Sequence, residues 1–390
     1  MKNTLRYIMT VVYLLSAPLL ILACLLLRIL PKKFDVGMGP IPRIFYVRLA
    51  KSLRYKGYQV QTYANNTYFI TSDFDVLFTK GWRKIFRYIA PFSFLRAAAL
   101  YRSVYVAFSG GPLGSIPVLK LVEPYLFRIS GVKTVVIPYG SDCRILDMSS
   151  NKAYVNAVHI DYPNIYFKNI NKVRRQVEVW SRGADIVIGT LDCIDYMSFW
   201  NRVRHSLHSI DTKTIAAKYP KFQPEQPIKI LHAPNHQAIK GSNFVFKAID
   251  TLKREGYNVE LIFKQGVPND EFLKTIREAD IVIDQLIIGW YGIFATEAMC
   301  LGKPVICYLR NDLIKAYESM GCIEPDEIPL INAGPSELVS VLREMLKSPE
   351  TLSEIGQRSR SYAEKYHSSD TLSDFFSEIN KSVNIYPSSV

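Results

Sequence analysis

A chain of 390 residues, 48% hydrophobic and 21% charged, is long enough for two domains with separate cores and does not have the composition of a disordered segment. Its formal net charge of +13 calls for an anionic partner, and nucleic acid, an anionic membrane and a phosphate-bearing substrate are the classes it admits. The six cysteines are scattered, with no C-x-x-C pair and no histidines at ligand spacing, a pattern of reduced and mostly buried thiols, not of a zinc site or a disulfide framework.

Residues 7–27 carry no charge. As a helix rising about 1.5 Å per residue they would span about 31 Å, enough for a bilayer core. The run is too long for a signal peptide and continues past Cys24, which argues against lipoprotein cleavage there. It reads as an uncleaved N-terminal membrane helix, crossing or dipping in, with Pro18 as a possible kink. Lys2 and Arg6 precede it; Arg28, Lys32, Lys33, Arg43, Arg48, Lys51 and Arg54 follow. The heavier basic flank belongs on the cytoplasmic side, where the anionic inner leaflet would balance much of the positive charge.

Short apolar runs then alternate with helical stretches. YQVQTYA (58–64), SVYVAFS (103–109), KTVVIPYG (133–140) and ADIVIGT (184–190) are the strands expected in a first half. IKILHAP (228–234), NVELIFK (258–264), ADIVIDQ (279–285) and KPVICYL (303–309) are those of a second. Runs this continuously apolar suit strands covered on both faces of a parallel sheet. Between them, Phe244, Ala248, Ile249 and Leu252 follow helical spacing from a Ser242 cap to a stop at Gly256. Ala-Asp-Ile-Val-Ile occurs at 184–188 and 279–283 and marks the same helix-to-strand junction in both halves. The polar, proline-bearing stretch between 210 and 227 is the expected linker, and helices from about 335 to 384 are expected to close the second half. The fold class is therefore α/β with two doubly wound domains: 1–30 as anchor, 31–215 as first domain and 216–390 as second.

In such a fold the ligand lies at the carboxyl ends of the strands, so the loops that follow them carry the chemistry. After IKILHA comes Lys240-Gly241 at a helix start, a cation beside free backbone N–H groups of the kind a diphosphate needs; a solvated turn is the plainer reading of that dipeptide alone. After ADIVIDQLII comes GWYGIFATEAM. Gly289 and Gly292 let backbone approach a ligand, and Ile293, Phe294 and Ala295 can offer N–H groups there. A lone glutamate at a helix start is ordinarily solvated, but Glu297 in this setting can accept hydrogen bonds from a pair of ribose hydroxyls.

These stretches, with HAPN, IKGSNFVFKAIDTLKREGYNVELI, VVIPYGSD and GKPV, resemble the donor-site signature of bacterial GT-B glycosyltransferases, family 4 most of all, over residues 37–368. The resemblance implies two Rossmann-like domains facing a cleft, a nucleotide sugar bound mainly by the second, an acceptor bound mainly by the first, and no cofactor or metal. It makes Glu297 the ribose ligand and Lys240 the diphosphate contact. It also marks two departures: Gly289 stands where the family has a glutamate, and Pro234-Asn235-His236 stands where an arginine usually accompanies the lysine. Asn235 and His236 are then further donor contacts, with Gly241.

In the first half, VGMGPIPR (36–43) and FSGGPLG (108–114) supply Gly39, Gly110 and Gly111, which either approach the sugar and leaving phosphate or make ordinary turns. Asp142 in PYGSD either orients the acceptor hydroxyl, as a catalytic residue beside Lys240, or binds its own loop; Tyr139 stands where relatives often have histidine. Asp192 and Asp195 are expected to make caps and turn bonds, not a metal site. The sequence reading is a membrane-associated glycosyltransferase acting on a lipid-linked or glycan acceptor, with a silent scaffold and a sugar-nucleotide epimerase as alternatives. No motif supports nucleic-acid binding.

Overall fold

Strands that are apolar on both faces need helices on both faces, and the chain provides such a sandwich twice. The computed structural model describes residues 17–66, 72–78, 86–163, 166–266 and 269–388. In the first domain the strands are β1 (Phe34–Met38), β2 (Val60–Ala64), β3 (Val76–Leu77), β4 (Tyr101–Val106), β5 (Lys133–Val136), β6 (Ile186–Gly189) and β7 (Arg202–Val203). They form one parallel sheet in the order β3-β2-β1-β4-β5-β6-β7. Its helices are α1 (Ala17–Arg28), α2 (Ile44–Tyr55), α3 (Phe86–Leu100), α4 (Glu123–Ile129), α5 (Lys152–Asp161) and α6 (Tyr166–Gly183).

The second domain carries β8 (Ile228–His232), β9 (Val259–Phe263), β10 (Ile281–Ile283), β11 (Val305–Cys307) and β12 (Ile331–Asn332), parallel in the order β12-β11-β10-β8-β9. Its helices are α7 (Gln237–Lys240), α8 (Ser242–Arg254), α9 (Asn269–Glu278), α10 (Ile293–Cys300), α11 (Asn311–Ser319), α12 (Leu338–Lys347) and α13 (Leu352–His367); α14 (Ser369–Ser382) follows. The repeated Ala-Asp-Ile-Val-Ile junction does one job in both halves: Asp185 accepts the Thr134 N–H of the neighbouring strand, and Asp280 accepts that of Lys229, each at 2.9 Å.

The structure departs from the sequence reading at several elements. Strand β1, between β2 and β4 inside the first sheet, lies where a glycine loop was expected. Gly37 sits in it because the Tyr101 ring covers that position, only 2.3 Å from where a Cβ would stand. In α8, Gly241 is the cap, while Ser242 is buried against the His232 Nε2 at 2.9 Å; Val245 points inward and Phe244 outward.

Helix α14 crosses back and closes the first domain, not the second. Its Leu372, Phe376 and Ile379 pack with Phe45, Leu49 and Tyr105, each burial stabilising by about 1.5–3 kcal/mol. The chain thus passes between the domains twice, and the passages pair: the Ile210 N–H donates to the His367 carbonyl at 2.9 Å and the Ser369 N–H to the Ile210 carbonyl at 3.0 Å.

Of the expected membrane helix, residues 7–16 lie outside the described residues. The rest is α1, which docks on the first domain through Leu20 and Cys24. Among the described residues no helix is long and apolar enough to cross a membrane.

Two buried histidines tie elements together as neutral rings. His232 bridges the Ile283 carbonyl, 2.9 Å from Nδ1, and Ser242. His367 bridges the His208 carbonyl, 3.0 Å from Nδ1, and the Tyr291 hydroxyl, 3.1 Å from Nε2. Burial pushes His232 down to about 4; burial, then the neighbouring His208, pushes His367 down to about 3. An unfolded histidine titrates near about 6.5, so this contribution is complete above that pH and falls away as pH drops, by roughly 1.4 kcal/mol per pH unit for each ring. Urea unfolding at pH 7.5 and pH 5.0 should therefore show a marked loss of stability at the lower pH, and His232→Gln should shrink the difference. Equal slopes in both proteins would remove His232 from this account.

Candidate functional site

The second sheet changes winding direction between β10 and β8, which places the loops after these strands around one crevice. Those loops, with the end of β9, line a cavity of about 760 Å³ whose opposite wall comes from the first domain. Asn235, His236, Lys240, Gly292, Ile293, Phe294 and Glu297 all reach it from the second domain, so the donor-side residues named from sequence largely converge.

Lys240 ends the short helix α7, and Gly241, at φ +78°, turns the chain directly into α8. A Cβ at Gly241 would stand 3.1 Å from the Leu286 side chain. The Lys240 ammonium donates to Asp284 Oδ1 at 2.8 Å, and the other oxygen of that fully buried carboxylate accepts the Gly292 N–H at 2.8 Å. One acid therefore holds both the cation and the start of α10 at the cavity wall. The sequence reading missed Asp284. Its signal was an ionisable residue directly after the buried strand IVI, where burial of an unpaired charge would be prohibitive.

Glu297 is 2% exposed, which excludes a solvated helix position. Arg48, on α2 of the first domain, reaches across to it at 2.8 Å and also donates to the Ser209 carbonyl at 3.0 Å. His208 lies close by; burial first, then the charges of Arg43, Arg48 and Lys240, push it down to about 3 and keep it neutral at physiological pH. Cations from both domains thus meet on one side of the cleft. Lys264, at the end of β9, adds another to the cavity lining. From sequence Arg48 counts only as part of the basic flank after the apolar run, whereas the structure spends it on Glu297; Lys264 has no sequence signal of its own.

The domains are clamped beside the cavity. Asp161 accepts the Ile239 N–H at 2.8 Å, Asn151 donates to the Ile287 carbonyl at 2.7 Å, and Tyr154 and Val158 pack on Ile239 and Ile287. The Tyr162 hydroxyl lies 2.7 Å from His236 Nε2. Burial, opposed by Asp161 and aided by Lys240, holds His236 below the usual histidine range.

Other residues named from sequence are occupied elsewhere. Gly289, at φ +96°, faces the Arg310 stem, which lies 2.6 Å from where a Cβ would stand. A glutamate has no room there. The Arg310 guanidinium pairs with Asp195 of the first domain and with Asp312. Asp192 takes a two-point ion pair from Arg144 at 2.7 and 2.6 Å, so these aspartates make salt bridges instead of caps. Asp142 accepts the Tyr139, Gly140 and Phe108 N–H groups, and burial pushes its carboxyl up; its bonds shape the loop that carries Tyr139 to the cavity. Gly110 and Gly111 wrap the buried Glu123, which accepts the Gly111 and Leu113 N–H groups. Gly39 lies against the Tyr63 backbone. Among the described residues, none of these three glycines lines the cavity.

Comparison with solved structures gives the fold a name. It is GT-B. Sucrose-phosphate synthase from Thermosynechococcus elongatus superposes with a TM-score of 0.60 at 12% identity, over 90% of this chain and 99% of that one. HepE from Anabaena, in complex with UDP-glucose, gives 0.58 at 12% identity, over 90% and 100%. A putative UDP-N-acetylglucosamine 2-epimerase from Listeria monocytogenes gives 0.51 at 12% identity, over 91% and 97%. No protein-family model and no curated protein matches the sequence.

Asp284→Asn keeps an acceptor for the Gly292 N–H but leaves Lys240 without its buried counter-charge. The expected cost is about 2–3 kcal/mol, below the full range for a buried pair because the lysine is 14% exposed. An unchanged urea midpoint would show that the pair does not hold the site together.

Proposed function

We propose that the chain is a glycosyltransferase that moves a sugar from a nucleoside diphosphate sugar to a hydroxyl of a lipid-linked or glycan acceptor at the cytoplasmic membrane face, in cell-surface polysaccharide synthesis. The observation that carries this reading is the convergence of Lys240, the Gly292 end of α10 and Glu297 on one interdomain cavity. The ribose hydroxyls would bond Glu297, sharing it with Arg48 or displacing that side chain. The diphosphate would lie against Lys240 and the first N–H groups of α10, with Lys264 within the same lining.

In the transfer, the bond from the anomeric carbon to the diphosphate oxygen breaks as one to the acceptor oxygen forms, and the proton of the acceptor hydroxyl passes to the departing diphosphate oxygen. Negative charge grows on the departing diphosphate, where a preplaced cation and helix-end N–H groups stabilise the transition state more than the bound donor. Retention of anomeric configuration and independence from metal belong to the proposal. Tyr154, Val158, Ile170 and Val173 make the first-domain wall apolar, which favours an acceptor with a lipid portion. An epimerase is the second reading, favoured by the fold shared with the Listeria protein. The room taken by Arg310 beside Gly289 is what favours a silent scaffold.

The test is a panel of nucleotide sugars, with and without membrane-extracted acceptor, beside nucleotide affinity by calorimetry. Glu297→Gln should weaken nucleotide binding by about 1.5–3 kcal/mol, the worth of charge-assisted bonds. Lys240→Ala should lower the transfer rate further than it lowers affinity. Turnover without acceptor would favour the epimerase, and unchanged affinity and rate in both variants would favour the scaffold.

A further inference from the structure

Helix α1 is apolar on two opposite sides. Leu20 and Cys24 are buried at 8% and 0% exposure, and Leu27 packs on the same cluster. On the other side Leu19, Leu22, Leu26 and Ile29 are exposed at 70%, 54%, 58% and 79%. Both sets recur every three or four residues, so each is a continuous stripe. A surface helix ordinarily turns charge outward, and the only charged residue in this one is Arg28, at its end. A leucine stripe of this size facing water marks an interaction surface.

We infer that α1 lies in the plane of an anionic lipid surface, as a docked face of the first domain, and does not thread through the bilayer. This rests on the membrane location proposed above but not on the transfer chemistry. The inner stripe is committed to protein: α1 packs against both α3 and α4. Its carboxyl end is tied down by the Lys32 ammonium, which donates to the Leu27 carbonyl at 2.7 Å and to the Ala98 carbonyl. Threading α1 through the bilayer would undock it from the first domain and expose the core at Leu20 and Cys24.

The features around the stripe favour lipid as its occupant. Phe92 on α3 and Tyr125 on α4 add exposed rings on the helices that flank α1, at 69% and 39% exposure. Arg28 and Lys33, both exposed, follow the stripe directly, where anionic headgroups would meet them. Aliphatic side chains with an aromatic fringe and a basic end are the composition of an interfacial helix.

The experiment uses the full chain. It should float with vesicles of phosphatidylglycerol and phosphatidylcholine, and at least tenfold less with phosphatidylcholine alone. The double variant Leu22→Gln/Leu26→Gln should lose flotation at least tenfold with an unchanged unfolding midpoint. In inverted membrane vesicles, Asn3→Cys and Leu30→Cys, each made in a Cys322→Ser background, should both react with an impermeant maleimide before detergent is added. Reaction of Asn3→Cys only after detergent would mean that the chain spans the bilayer, overturning the in-plane placement while leaving the membrane reading intact. Absence of flotation would overturn both. A lipid-free dimer abolished by the double variant, without flotation, would assign the stripe to a second copy of the chain.

Discussion

A carboxylate withdrawn from water needs a cation, and at Glu297 the cation comes from the other domain. Arg48 stands on the first helix after β1, Glu297 in the second turn of α10, and their ion pair spans the cleft where a ligand would lie. Breaking such a pair by removing one partner is costly even where forming it adds little net stability. The closed arrangement of the domains and the chemistry of the cavity therefore depend on the same contact. The α5 seam supports it, with Asp161 and Asn151 bonding second-domain backbone beside a small apolar cluster. A ligand that took Glu297 would therefore also alter one of the contacts that hold the domains together.

Much of the second domain was legible because its information is local. Four strands, three of them buried, with their loops and the helix starts lie within short stretches whose composition and spacing admit few alternatives. Lys240 and Glu297 could be placed on the cavity because each follows a strand whose carboxyl end faces it. Strand β1 was not legible, since Gly37 and Gly39 have the composition of a loop, and only the Tyr101 ring lying over Gly37 explains a glycine inside a central strand.

What sequence could not supply was pairing over distance. Asp284 meets Lys240, Arg48 meets Glu297, and Arg310 meets Asp195, each across a gap that leaves no local pattern. The same limit hid Glu123, whose buried carboxyl group is spent on backbone N–H groups, whereas the bonds of Asp142 to its own loop are one of the two roles its sequence setting admits. Hydrophobicity marked the apolar run whose residues 17–27 lie in α1, but a hydropathy run cannot say that one side of it is claimed by protein. Helix α14 failed in the opposite sense: its amphipathic pattern was visible, but which domain it would cover was not.

The return of α14 has a consequence for how the two halves can move. A single linker lets two bodies swivel freely about any axis through it. Here the passage at Ile210 and the passage at Ser368 run side by side and are hydrogen-bonded as a short parallel ladder. Two joined crossings suppress twisting and sliding and leave rotation about the line they define as the soft mode. Opening of the cleft is thereby reduced to nearly one degree of freedom, and each reclosure brings Arg48 back to the same place.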